Sequence, residues 1–312
     1  MKLFDGHCDT IYRCFNQGGG LQQSAGHLDL LRTRKYERYA QFFALFADWD
    51  ELKPGESLGQ VYQGQYRLFL QEMEHNSDLV SFCRTMGEAG EAFTQGKSAA
   101  FLSVEGADLL DCDLDKLEEA YRLGVRAVNL TWNHSNALSG TNVEEKDRGL
   151  SEQGKAFTCR MQTLGMLVDV SHLSDPGFWD VMALAVKPVF ATHSNARTVC
   201  FDTRNLTDEQ FTAIIKNNGV AGLNMYSGFL GEKADLDTVL RHLEHFFSLG
   251  GEENVALGGD WDGCPALPEG IAGIQDMDKL YELLLRNNYS ETLVRGVFFT
   301  NMQRVVSEVC GM

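Results

Sequence analysis

Short apolar runs alternate with longer amphipathic stretches along nearly the whole chain. The apolar runs Lys2–Asp5, Ala40–Phe46, Ser98–Val104, Arg126–Leu130, Leu167–Val170, Pro188–Ala191, Val220–Leu223 and Val255–Gly258 have the length and β-branched or aromatic content of buried strands. Between them, helical periodicity marks Leu114–Leu123, Glu152–Leu164, Asp208–Lys216 and Leu236–Leu249. Gly124, Gly165 and Gly250 follow three of these runs as stop signals, and Thr207 or Asp208 is placed to cap a fourth. The stretch from Leu52 to Gly96 is too long for one helix. It predicts two, Gln60–Glu74 and Leu79–Phe93, inserted after the second strand. The tail Glu291–Val309 predicts one helix, or two with a break near Gly296, packing outside the sheet.

Strands separated by helices argue for a parallel sheet. An open sheet gathers its chemistry at one switch point. Here polar residues follow most of the strands, which suits a closed (β/α)₈ TIM-type barrel with its site at the carboxyl ends. With 312 residues and no linker or repeat, the whole chain, 1–312, is expected to form one barrel domain.

The strand ends carry the candidate chemistry. His7 and Asp9, at i and i+2 after the first strand, can point the same way and chelate a divalent ion. A lone His-x-Asp carries little weight. Glu105 closes the third predicted strand, His172 the fifth, His193 the sixth, and Asp260 and Asp262 the eighth. Imidazoles with carboxylates suit zinc and similar ions. Two ions about 4 Å apart need a shared ligand, and Glu105 is a candidate bridge. A carboxylate at the eighth strand can take a proton from water and return it to a leaving amine.

Composition narrows the partners. A net charge of −17 makes nucleic acid or an anionic membrane surface an unfavourable partner. No apolar run approaches the ~20 residues that span a bilayer, and no leader or lipidation motif is evident. Eight cysteines without a C-x-x-C pair fit a reducing, cytoplasmic setting, with Cys8 expected to face away from His7 and Asp9.

The segments Asp5-Gly-His-Cys-Asp9, Val104-Glu-Gly106, Asp169-Val-Ser-His172, Thr192-His-Ser194, Arg204-Asn205 and Gly258-Gly-Asp-Trp-Asp-Gly263, continuing to Gly270, resemble the membrane (renal) dipeptidase family of zinc dipeptidases. The resemblance runs from Phe4 to about Val309. It implies a barrel, two zinc ions and hydrolysis of free dipeptides. It further implies that His7, Asp9 and Glu105 hold one ion and that Glu105, His172 and His193 hold the other. Asp260 would be the acid–base carboxylate, Asp262 a loop-shaping residue, and Arg204 the partner of the substrate's terminal carboxylate. A homodimer is a further expectation from the family.

Two departures stand out. Thr10 and Ile11 follow His-x-Asp, where the family commonly has a hydrophobic residue and proline. Leu130-Thr131 is followed by Trp132-Asn133, where mammalian members place a substrate-contacting histidine; here the histidine is His134. Trp132 is favoured over His134 as the pocket residue, with Tyr226 a further candidate for substrate contact. His27, His75, His242 and His245 read as surface or helix residues. The alternatives are a related metal hydrolase acting on N-acyl amino acids or another small amide, less readily a lactonase or deaminase, and a barrel that binds without turnover.

Overall fold

The structure is a computed structural model that describes residues 1–312. Its strands are β1 (Lys2–Cys8), β2 (Arg38–Phe46), β3 (Val80–Phe82), β4 (Ser98–Glu105), β5 (Val125–Asn129), β6 (Leu167–Asp169), β7 (Phe190–Ala191), β8 (Val220–Leu223) and β9 (Val255–Leu257). Every pairing is parallel. The order runs β1–β2–β4–β5–β6–β7–β8–β9, and β9 returns to β1 through Asp5 and Leu257. Eight strands therefore close a (β/α)₈ barrel, as the alternating pattern predicts.

The ninth strand corrects one expectation. Residues 79–93 do not form a single helix. Val80–Phe82 pairs with Ser98–Ala100 of β4, and the helix begins only at Met86, capped by the Thr85 side chain. β5 joins β4 only from Leu102 upward, so the lower edge of β4 is free to take a short strand. The first insertion helix spans Leu58–His75 and starts with a Ser57–Gln60 capping box.

Phenylalanines fill the barrel's lower half. The Phe4 ring stacks on Phe42 at 5.9 Å and on Phe101 at 5.5 Å, and Phe42 lies 5.6 Å from Phe190. The chain's tail completes this cluster and corrects a second expectation. It breaks at Gly296 into Glu291–Arg295, a π-helical turn Gly296–Thr300, and Asn301–Cys310. Its apolar face does not pack outside the barrel. Phe299, Met302, Val305, Val306 and Val309 join the interior residues Phe4, Phe42, Phe101 and Phe190 and close the amino-terminal mouth. Asn301 fixes the tail there, its amide donating to the carbonyls of Glu252 and Val255 at 2.8 Å each.

Toward the carboxyl-terminal mouth the interior becomes polar and tightly drawn. A Cβ on Gly258 would lie 1.7 Å from the Thr192 carbonyl oxygen, and one on Gly222 2.1 Å. Only glycine lets β8 and β9 approach the end of β7 this closely.

Candidate metal centre and cavity

The backbone first brings the side chains together. Asp5 is fully buried and anchors β1 to the β9 loop. It accepts from the His7 and Gly259 amides, the Gln41 amide group and the Trp261 indole, at 2.9–3.1 Å. His7 and Asp9 then reach the same space, with His7 Nε2 3.6 Å from Asp9 Oδ2. Three residues at this mouth adopt left-handed backbone: His172 (φ 72°), Asp260 (φ 56°) and Asp262 (φ 66°). Such conformations cost free energy for residues other than glycine, and they collect where a side chain must be aimed.

Glu105 stands at the centre. Its Oε2 lies 3.3 Å from His7 Nε2, whereas its Oε1 lies 2.9 Å from His172 Nε2 and 3.3 Å from His193 Nε2. The two carboxylate oxygens thus face different imidazoles. Ligand-capable atoms of His7, Glu105 and His193 lie within 4.8 Å of one another, as do those of His7, Asp9 and Asp260. All these groups are buried except Asp260, which is half-buried.

Protonation follows from this crowding. Burial alone would lower the basicity of His7, but the Glu105 and Asp9 carboxylates overcome it and hold the imidazole well above its ordinary range. Burial, followed by the Arg204 charge, lowers His172 to about 4. Burial, then the charges of His7 and Arg204, carries His193 well below its ordinary value. Burial opposes ionisation of Glu105, yet the charge of His7 and the close approach of His172 and His193 keep it strongly acidic. Burial, then repulsion from Glu105, pushes Asp9 up. Burial also raises Asp260, against the pull of the His7 charge.

The donor set fits divalent ions. Both nitrogens of His7 and Oδ1 of Asp9 are buried without a hydrogen-bond partner. Buried donors and acceptors are costly when left so, and a cation satisfies lone pairs of this kind while relieving repulsion among Asp9, Glu105 and Asp260. His172 Nδ1 contacts Asn133 Oδ1 at 3.0 Å and His193 Nδ1 contacts Thr192 Oγ1 at 2.6 Å, which leaves each Nε2 turned to Glu105.

A cavity of about 320 Å³ opens over this cluster. Asp9, Glu105, His172, His193 and Asp260 form its floor, and Phe46, Trp132, Tyr226 and Phe229 line its walls. Trp132 packs edge-on against Phe46 at 4.8 Å. His134 does not line the cavity; it stacks on Trp49 at 5.2 Å and meets Glu144 at 3.0 Å. The helical turn after β2 puts Asp48 and Glu51 on the wall, and no lysine or arginine faces the cavity. Asn224 donates to Asp260 Oδ2 at 2.9 Å.

Arg204 is 4% exposed and sits behind this cavity, in a small recess shared with His172 and Ser194. Its Nη1 donates to Ser194 Oγ at 2.9 Å, while Nε and Nη2 have no partner. Those two nitrogens form the side-on fork that matches a carboxylate.

Asp262 lies outside the cluster of donors. Its carboxylate takes the Thr10 hydroxyl at 2.7 Å and the His27 amide at 2.6 Å, while its own amide meets His27 Nδ1 at 3.1 Å. His27 is therefore a loop anchor rather than a surface residue. His242 is fully buried, taking the Ala196 amide on Nδ1 at 3.1 Å and facing the Leu230 carbonyl with Nε2 at 3.0 Å. The supporting groups Asn133, Asn224, Asp169 and Thr192 have no ligand spacing of their own in the chain. The only signal was their place beside the strand-end histidines or just past a strand.

The family model of membrane dipeptidases, peptidase family M19, matches residues 1–311. An uncharacterised dipeptidase of Schizosaccharomyces pombe is 31% identical over 300 residues, covering 89% of this chain and 71% of that one. An uncharacterised protein of Klebsiella pneumoniae is 30% identical over 270 residues, 82% of this chain and 98% of its own. Among solved structures, a Rhodobacter sphaeroides metallopeptidase, bound to a phosphinate mimic of L-Ala-D-Ala, superposes with a TM-score of 0.91 at 28% identity, covering 99% of both chains. Dipeptidase AC, a metallopeptidase of family M19, gives 0.91 at 29% identity, covering 100% of this chain and 99% of its own.

Proposed function

The chain belongs to the membrane dipeptidase family of metallopeptidases, and from that premise we propose that it hydrolyses free dipeptides with two divalent ions, zinc by preference, at the carboxyl-terminal mouth of the barrel. The observation that carries this reading is Glu105, with one oxygen toward His7 and the other toward His172 and His193. His7, Asp9 and Glu105 would hold one ion; Glu105, His172 and His193 would hold the other. When bound, such ions lower the pKa of water to give a nucleophile near neutral pH and polarise the scissile carbonyl.

The chain's own groups supply the rest. Asp260, oriented by Asn224, takes the proton released from water and hands it to the leaving amine. The free fork of Arg204 does not face the cavity in this structure; on this reading it turns past His172 to bind the terminal carboxylate and set the peptide's position. Trp132, Phe46, Tyr226 and Phe229 give the side chains an apolar wall. Asp48 and Glu51 add negative charge that suits the free ammonium of a dipeptide and disfavours an N-acyl analogue, which has none. Eight unpaired cysteines agree with a reducing, cytoplasmic setting. No helix is long and apolar enough to cross a membrane.

The test is a dipeptide library assayed beside dipeptide amides and N-acyl amino acids, with metal analysis of the same sample. The expected result is two ions per chain and turnover only of free-acid dipeptides. Arg204→Ala should lower kcat/KM on free acids by about 10- to 100-fold, the worth of a charge-assisted hydrogen bond, and leave the ions in place. Equal rates for acid and amide in the unaltered protein would remove the carboxylate clamp. Preference for N-acyl amino acids would move the substrate class.

A further inference from the structure

His193 is held from below by a chain of hydrogen bonds whose direction the chemistry dictates. Its Nδ1 lies 2.6 Å from Thr192 Oγ1, and that hydroxyl is bonded in turn to Asp169 Oδ2. All three side chains are buried. The other oxygen of Asp169, Oδ1, accepts the backbone amides of Ser171 at 2.9 Å and Thr192 at 3.1 Å. A hydroxyl has one proton to give, and an ionised carboxylate only accepts. Thr192 must therefore donate to Asp169 and accept from His193. The imidazole then carries its proton on Nδ1 and leaves the Nε2 lone pair, 3.0 Å from His172 Nε2 and 3.3 Å from Glu105 Oε1, free for an ion.

We propose that Asp169 and Thr192 are positioning residues that set the tautomer of His193, and through it the capacity of this side of the site to hold a divalent ion. The inference rests on the metal reading above. Neither residue touches the ion or the substrate. Their effect is to keep the Nε2 lone pair free, as hydrogen-bond partners behind ligating histidines generally do.

The geometry makes a conservative substitution the harsher one. In Asp169→Asn the amide oxygen must stay at the Oδ1 position to accept two backbone N–H groups. The NH₂ group then falls where Oδ2 was, facing Thr192 Oγ1. Because the amide donates, the Thr192 hydroxyl has to turn its proton to His193 Nδ1. The imidazole is driven to the Nε2–H form, with a proton where the ion would sit. Thr192→Val removes the hydroxyl and leaves the imidazole to choose its tautomer. Adding Thr192→Val to Asp169→Asn should therefore restore what the single change loses. A purely structural role predicts the opposite: two lesions worse than one.

The experiment measures zinc affinity by chelator competition, ions bound per chain, and ¹⁵N shifts of the His193 ring in metal-free full-length protein. The expected order of zinc affinity at the weaker site is unaltered protein and Thr192→Ser highest, then Thr192→Val with the double variant close to it, then Asp169→Asn, about 10- to 100-fold below the unaltered protein. The ring should be Nδ1–H in the unaltered protein and Nε2–H in Asp169→Asn. Unaltered affinity in Asp169→Asn, or a double variant no tighter than that single one, overturns the relay. If Asp169→Asn does not fold, an Nε2–H ring in the unaltered protein overturns it alone. If the unaltered protein binds no divalent ion, the functional reading falls. The ring shifts then decide the relay separately, and the same tautomer in both proteins overturns it.

Discussion

The two mouths of the barrel are built on opposite terms. At the amino-terminal mouth, Phe4, Phe42, Phe101 and Phe190 meet the tail residues Phe299, Met302, Val305, Val306 and Val309 in a sealed apolar cluster. At the carboxyl-terminal mouth, three carboxylates crowd three imidazoles, His7 and Arg204 hold buried atoms without partners, and His172 and Asp260 sit in left-handed backbone. One end lowers the free energy of the fold by burying apolar surface; the other spends some of that stability to aim reactive groups. Substitutions should therefore separate cleanly, with activity lost at one mouth and stability at the other.

The largest expected effect is at Glu105. Glu105→Gln keeps the shape but replaces the charge shared between His7 and the His172–His193 pair. Metal content and activity should fall together, activity by more than about 100-fold, since even changes behind the ligands reach that range. Full metal content with normal turnover would break the contrast at its centre. Asp260→Asn should keep the ions and cost about 10²- to 10⁴-fold in kcat. Asparagine tolerates left-handed backbone well, so its melting temperature should hardly move. If Asp262→Asn at equal metal content is the more damaging change, proton transfer belongs to the other aspartate.

The opposite pole is Phe299. Phe299→Ala should destabilise the fold by about 3–5 kcal/mol, measured by denaturant titration, while the protein that remains folded keeps its kcat and metal content. A loss of activity per folded molecule would show that the two mouths are coupled.

The smallest effect sharpens the comparison through pH. Burial, only partly offset by the Leu230 carbonyl, leaves His242 titrating at about 4 in the folded protein. Above about 6.5 it is neutral whether folded or unfolded and does not affect stability. As pH falls from about 6.5 to about 4, the unfolded chain takes up a proton that the folded one refuses. Stability should fall over that window by about 3 kcal/mol at most, and no further below it. His242→Gln should flatten this part of the stability curve relative to the unaltered protein. Identical slopes would mean that His242 does not titrate on unfolding.

Much of this contrast could be read from the chain, for identifiable reasons. Leu114–Leu123 and Glu152–Leu164 were legible to the residue because Gly124 and Gly165 take left-handed backbone just past each helix. The strand-end residues stood out because carboxylates and imidazoles interrupt otherwise apolar runs. β3 was not legible, since three residues become a strand only when β4 offers an edge. Nor could the pattern of Phe299–Val309 say which surface its apolar stripe meets; periodicity reports a face, not its partner. His27 and His242 read as surface or helix residues, and the chain gave no sign of their anchoring roles, because their partners, Asp262 and Ala196, lie 235 and 46 positions away. The choice between Trp132 and His134 turned on a loop path that places Trp132 against Phe46 and His134 against Trp49.

The seal at the amino-terminal mouth also constrains how the protein is made. β1 is synthesised first, yet it pairs with β9, and Phe4 is covered by Phe299 and its neighbours. A ribosome-bound chain lacks both partners until residues 255–309 have emerged. Its early strands leave the exit tunnel with aromatic faces bare and one ladder edge unpaired, the surfaces that chaperones engage and that aggregate when left alone. Closure of the ring has to wait for those residues. Slowing translation of residues 255–309 should lengthen the time in which the nascent chain depends on chaperones.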